Sequence, residues 1–173
     1  MKQLISMLIC LSIVFNTTTF AASGLDGKKA AFQGGTTKEK DFPGAKKPVE
    51  GNLITNDEKL LKFEYTWEKE AKVYSIPYDQ IIDIEYGQKA GRRVGAAVAT
   101  TILLGPIGLL MLFSKKRKHF ITIGYKDADG KEQATVFELG KDIVRTTLPI
   151  LEARSGKKLT YQDEDAKKSA KGN

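Results

Sequence analysis

The feature that most constrains this chain is a charge-free run, Val94 to Phe113, set between Arg92-Arg93 and Lys115-Lys116-Arg117-Lys118. Its length, about twenty residues, is what crossing a bilayer core requires. The run nevertheless interrupts two segments that read as strands of a water-soluble sheet. Any fold must accommodate both.

The strand readings come from a period of two. Leu61, Phe63, Tyr65 and Trp67 are apolar at alternate positions, with Lys62, Glu64 and Thr66 between them, as in a half-buried strand. Asn52 to Thr55 precedes them as a first strand, with Asn56-Asp57 as a turn. Tyr74, Ile76 and Tyr78 repeat the pattern, and Ile82, Ile84 and Tyr86 repeat it again with Asp83 and Glu85 facing out. Beyond the run come Ile121, Ile123 and Tyr125, a turn at Asp127-Ala128-Asp129-Gly130, and a strand through Thr135, Phe137 and Leu139. The Asp-Gly pair is a strong hairpin signal.

Asp142 then stands as the cap of a helix that carries Ile143, Val144, Thr147, Leu148 and Leu151 on one face and ends at Gly156. Pro149 removes a helical hydrogen bond at a cost of about 3 kcal/mol. A kink follows, or a helix that begins near Thr147 with the proline in its first turn. Lys157 to Tyr161 reads as a short edge strand, and the charged stretch 162–173 as a disordered tail. Ser23 to Glu50 is rich in glycine and lysine and poor in large apolar residues, the composition of a flexible linker.

The cadence from VYSIPYDQIIDIEYG to ILEARSGKKLTY resembles bacterial pleckstrin-homology-like (GRAM-type) domains. The resemblance covers residues 51–161 less an insertion at 88–118. It implies a mainly β fold, a β-sandwich or partly open barrel, with one C-terminal helix and an inserted hydrophobic helical hairpin. It also implies a binding or scaffolding role without shared catalytic residues.

The hairpin reading has its own basis in the residues. If the strands on either side of the insertion are consecutive in one antiparallel sheet, both of its ends lie on the same side of any membrane. A straight helix over the run is about 30 Å long and would separate them. Gly105-Pro106 at the midpoint is a turn signal, leaving two arms of about 14 Å. Val94, Val98, Ile102, Leu103, Leu104, Ile107, Leu109, Leu110, Leu112 and Phe113 are then the membrane-inserting residues. Gly91, Gly95 and Ala99 form a small-residue stripe for close helix packing, similar to a glycine zipper. Arg92, Arg93, Lys115, Lys116, Arg117 and Lys118 sit where anionic headgroups would be, at about 1 kcal/mol each. A single-pass helix and a hairpin buried in a homo-oligomer interface are the alternatives. The positive-inside rule sits badly with a basic flank on an exported side, which counts more against spanning than against a shallow hairpin.

The N-terminus reads as a secretory signal peptide over residues 1–22: Lys2, an apolar core from Leu4 to Phe15, and Ala21-Ala22-Ser23 for cleavage. An uncleaved anchor is the alternative. The single cysteine, Cys10, falls inside this segment, so a mature chain would have neither disulfide nor thiolate chemistry. Localisation follows as exported, on the periplasmic side and membrane-associated. With a net charge of +7, an anionic partner is natural; for an exported chain that means lipid rather than nucleic acid. The bland alternative is a basic surface that merely keeps the protein soluble.

No nucleophile–base pair can be assembled from these residues, so the expectation is a non-enzymatic module without cofactor or metal. His119 is the sole histidine and has no cysteine or acidic cluster at metal spacing near it. Asp79, Asp83 and Glu85 lie near one another, but on an outward strand face carboxylates are ordinarily solvated. Gly91 to Gly95 lacks the Gly-Lys-Ser/Thr ending of a phosphate loop. Tyr65, Trp67 and Tyr74 read as sheet residues before they read as a nucleic-acid platform. The protein partner, if there is one, is not identified by the sequence.

Overall fold

The structure, a computed structural model, describes residues 29–36, 38–45, 47–88 and 119–172. It contains β1 (Lys29–Gly35), α1 (Lys38–Asp41), β2 (Val49–Ile54), β3 (Leu60–Trp67), β4 (Glu70–Pro77), a 3-10 turn (Tyr78–Gln80) and β5 (Ile81–Gly87). After the insertion come β6 (His119–Lys126), β7 (Glu132–Leu139), α2 (Lys141–Ser155), β8 (Leu159–Tyr161) and α3 (Glu164–Lys171). The strands form one sheet in the order β4-β3-β2-β1-β7-β6-β5-β8, antiparallel throughout except that β8 lies parallel to β5.

This corrects the expected architecture. The described residues are mainly β as expected, but they form one eight-stranded mixed sheet with a helix on either side of β8 in the chain, in place of a β-sandwich or partly open barrel with one C-terminal helix and an inserted helical hairpin. No helix among them is long and apolar enough to cross a membrane. The inserting residues 94–113, the turn at 105–106, the basic flanks, the small-residue stripe and the signal segment all lie outside the described residues.

The reason for the correction is β1. The stretch expected to be a linker supplies the strand that pairs with β2 on one side and β7 on the other, fusing the two halves into one sheet. Ala30 and Phe32 alternate as a strand requires, but with Ala31 between them and glycines after them they are a faint signal. The same stretch supplies Phe42, fully buried after the single turn of α1 and stacked on Phe32 with ring centroids 3.8 Å apart. Phe63, Tyr65, Tyr74 and Phe137 surround this pair. Burying a ring of this size contributes about 1.5–3 kcal/mol, ample reason for the chain to order here.

The sheet is strongly curled. Tyr74 on the outermost strand β4 hydrogen-bonds Tyr125 on β6 across its concave side, hydroxyl to hydroxyl at 2.7 Å. Ile143, Val144, Leu148 and Leu151 turn one face of α2 into that concavity. The helix does not start at Thr147 as one reading of Pro149 allowed. It runs from Lys141 with Gly140 as N-cap, and Pro149 sits on its exposed side. Its end is as expected, with Gly156 in the left-handed conformation at φ 68°. A bulge between Ile81 and Asp83 shifts the register of β5, so Ile81, Ile84 and Tyr86 face the core rather than Ile82, Ile84 and Tyr86. Glu85, expected to be solvated, is buried.

The last correction is the tail. Residues 164–171 form α3, whose first turn is closed by the Asp163 carboxylate accepting from the Ala166 amide at 2.8 Å. Ala166 and Ala170, one turn apart, are buried against the rest of the fold. Small residues of this kind give no strong hydrophobic signal, yet they let a charged helix pack closely.

Candidate functional site

The chain leaves the sheet for the insertion at Gly87 and re-enters it at His119. Gly87 and Phe120 are register partners in the antiparallel pair β5–β6. The two ends of the apolar run's parent segment are therefore rooted about 5 Å apart. The same corner of the molecule receives the start of α2 and the length of α3.

A polar network ties this root together. The Tyr86 hydroxyl, fully buried, meets His119 Nδ1 at 2.5 Å, and the two rings lie nearly parallel. Gln88 Nε2 donates to the Ser169 hydroxyl at 2.9 Å, and Ser169 also hydrogen-bonds the Tyr86 hydroxyl. Residues on both sides of the insertion are thereby joined to α3. Burial pushes the Tyr86 phenol up, opposed by the Ser169 hydrogen bond. The same burial, reinforced by Lys141, pushes the His119 imidazole below its ordinary range, with Glu138 acting weakly the other way. Burial thus favours the neutral form of His119.

Beside this network opens a cleft of about 480 Å³ lined by Gln88, His119, Lys141, Arg145, Asp165, Lys168, Ser169 and Gly172. Lys141 and Arg145 project from the first turns of α2, Asp165, Lys168 and Ser169 from α3. Gly172 borders both α3 and Arg145. It closes α3 at φ 76°, and the Arg145 guanidinium packs over it.

Charge distinguishes this cleft from its neighbours. A larger one of about 640 Å³ between β1, β2 and β7 sets Lys29 and Lys47 against Glu50 and Glu138, and so balances. A third, of about 550 Å³ along β4, sets Lys40 and Lys126 against Asp41 and Asp127, and also balances. The root cleft sets Lys141, Arg145 and Lys168 against Asp165 alone. It is suited to an anion. Among the described residues there is no cluster of histidine, cysteine and carboxylates fit to hold a metal ion.

Of the residues the sequence singled out, only His119 belongs to this site. It is half-buried beside a tyrosine rather than a plain surface residue. The sequence reading missed Tyr86 as a polar partner, and Lys141, Arg145, Lys168 and Ser169 altogether. One signal for them exists: Asp163 as a cap, acidic residues in the first turn, lysines in the last and Gly172 beyond spell a complete helix in the stretch read as a tail. Comparison with protein-family models, with curated proteins and with solved structures finds no match.

Proposed function

We propose that the chain is a non-enzymatic, exported binding module that associates with a membrane through the apolar run 94–113 and its basic flanks. The observation that supports this best is the pairing of Gly87 with Phe120. A segment whose ends are rooted in adjacent strands presents both basic flanks, Arg92-Arg93 and Lys115 to Lys118, at one surface. Two such flanks beside an apolar run match a lipid surface, with headgroups at the flanks and acyl chains at the run. The folded sheet then stays on one side and carries the cleft at the lipid boundary.

Flotation of the full chain with phosphatidylcholine vesicles tests this. The protein is expected to float with the lipid and to remain bound at high salt, because the apolar run does not depend on screened charges. Replacing Leu104 and Leu109 together with Lys is expected to release it, each charge opposing insertion by about 3 kcal/mol. Recovery of the unaltered chain in the lipid-free fraction contradicts the reading, and a large lipid-free assembly points instead to a homo-oligomer packed on the same run.

A further inference from the structure

We propose that the cleft between α2 and α3 at the root of the insertion binds a phosphate group, held by Lys141, Arg145 and Lys168 with His119 at its inner wall. Three cations converge from two helices on one concavity of about 480 Å³ in which, among the described residues, Asp165 is the only carboxylate. Arginine presents a planar fork that matches phosphate oxygens, and lysine adds a point charge. The Arg145 guanidinium rests against Gly172, where no side chain competes for its space. Gln88 and Ser169 already engage each other at 2.9 Å and form a polar floor. Two other clefts, that between β1, β2 and β7 and that along β4, have cations and carboxylates in equal number and offer no such excess.

Phosphate could come from a phospholipid headgroup or from a free phosphate ion. The first source rests on the membrane reading above; the second does not. The sole histidine of the chain lines the cleft and reports on it. The groups facing it are Tyr86 on β5, Glu138 on β7, Lys141 and Arg145 on α2, and Asp165, Lys168 and Ser169 on α3. An anion bound among the three cations offsets the effect of Lys141 on the imidazole, so the His119 titration moves upward on binding.

The test is NMR of the His119 imidazole in the full chain held in dodecyl maltoside, a detergent without phosphate. Inorganic phosphate, short-chain phosphatidylglycerol and sodium chloride at matched ionic strength are titrated in turn. Saturable movement with phosphatidylglycerol but not with inorganic phosphate assigns a lipid headgroup; saturable movement with inorganic phosphate assigns the free ion. In either case the doubly substituted Lys141→Gln, Lys168→Gln chain is expected to bind about tenfold more weakly. Asp165→Asn is expected to bind more tightly. All three positions are exposed, so the fold should survive and its amide spectrum verifies this. Movement no greater than that produced by sodium chloride overturns the proposal, as does a double variant that titrates like the unaltered chain. Flotation measured in parallel separates the two readings. Vesicle binding without a His119 response removes the cleft proposal alone, and a response to inorganic phosphate without vesicle binding removes the membrane reading alone.

Discussion

The two ends of α2 carry the same kind of residue put to opposite uses. At the C-terminal end Arg154 is engaged by the fold. Its Nη1 donates to the backbone carbonyls of Thr55 and Asp57, and its guanidinium lies over the buried ring of Tyr78, 5.5 Å from the centroid. Asp57 closes the knot by accepting from the amides of Lys59 and Leu60 and by pairing with Lys62 at 2.6 Å. At the N-terminal end Lys141 and Arg145 are exposed and face a cleft. A cation whose donors are spent on carbonyls holds the fold together. A cation facing open space beside other cations is available to a ligand.

The comparison breaks most directly in stability. Arg154→Ala leaves two carbonyls without their donor and removes the cation from Tyr78, and is expected to cost about 2–4 kcal/mol in urea unfolding. Lys141→Gln, Arg145→Gln and Lys168→Gln are each expected to stay within about 0.5 kcal/mol. Equal losses at both ends would mean that the cleft cations are structural too.

Between these extremes lies Tyr86→Phe. It strips a buried hydroxyl from His119 and Ser169 at the root and should cost about 1–2 kcal/mol, read by the same unfolding curve. An unchanged midpoint would show that the root network contributes nothing to folding.

Two pH limbs sharpen the comparison further. The His119 imidazole is held below 6.5, its unperturbed value, so both states are neutral above that pH. As pH falls below it, the unfolded chain takes the proton first, and stability declines until the folded imidazole is protonated as well. His119→Gln should flatten this limb. At the other end Asp57 is lowered from 3.8 to about 2, chiefly by Lys62 and then by the Lys59 and Leu60 amides. Its contribution is complete above pH 3.8 and is lost as pH falls towards 2. Asp57→Asn should remove that acid limb and leave the histidine limb intact.

β3 and β4 were legible because each buries one face, and alternation is what burial on one face writes into a sequence, whereas β6 and β7, buried on both faces, were marked out by the Asp-Gly turn between them. β1 was not, because a central strand of Ala, Phe, Gln and Gly draws its stability from partners on both sides rather than from its own residues. The bulge in β5 was hidden for a similar reason: Ile81, Ile82 and Ile84 fit either register, and only the pairing with β6 decides. The cleft was illegible in a different way. His119, Lys141, Arg145 and Lys168 are scattered along the chain, and only the packing of α3 against α2 collects them. What the sequence did expose, the paired basic flanks of the apolar run, meets the structure at one point, the Gly87–Phe120 pair.

That point permits one decisive measurement. With Cys10 replaced by Ser, Arg92→Cys and Lys116→Cys are introduced singly and the chains are reconstituted into sealed vesicles. A membrane-impermeant thiol reagent is added outside, and the labelled fraction is compared with that obtained after solubilisation. Both cysteines are expected to be modified to the same extent from the same side, because the strands that root them are neighbours. Modification of one from outside and of the other only after solubilisation would place the flanks on opposite faces and contradict a segment that leaves and re-enters at a single surface.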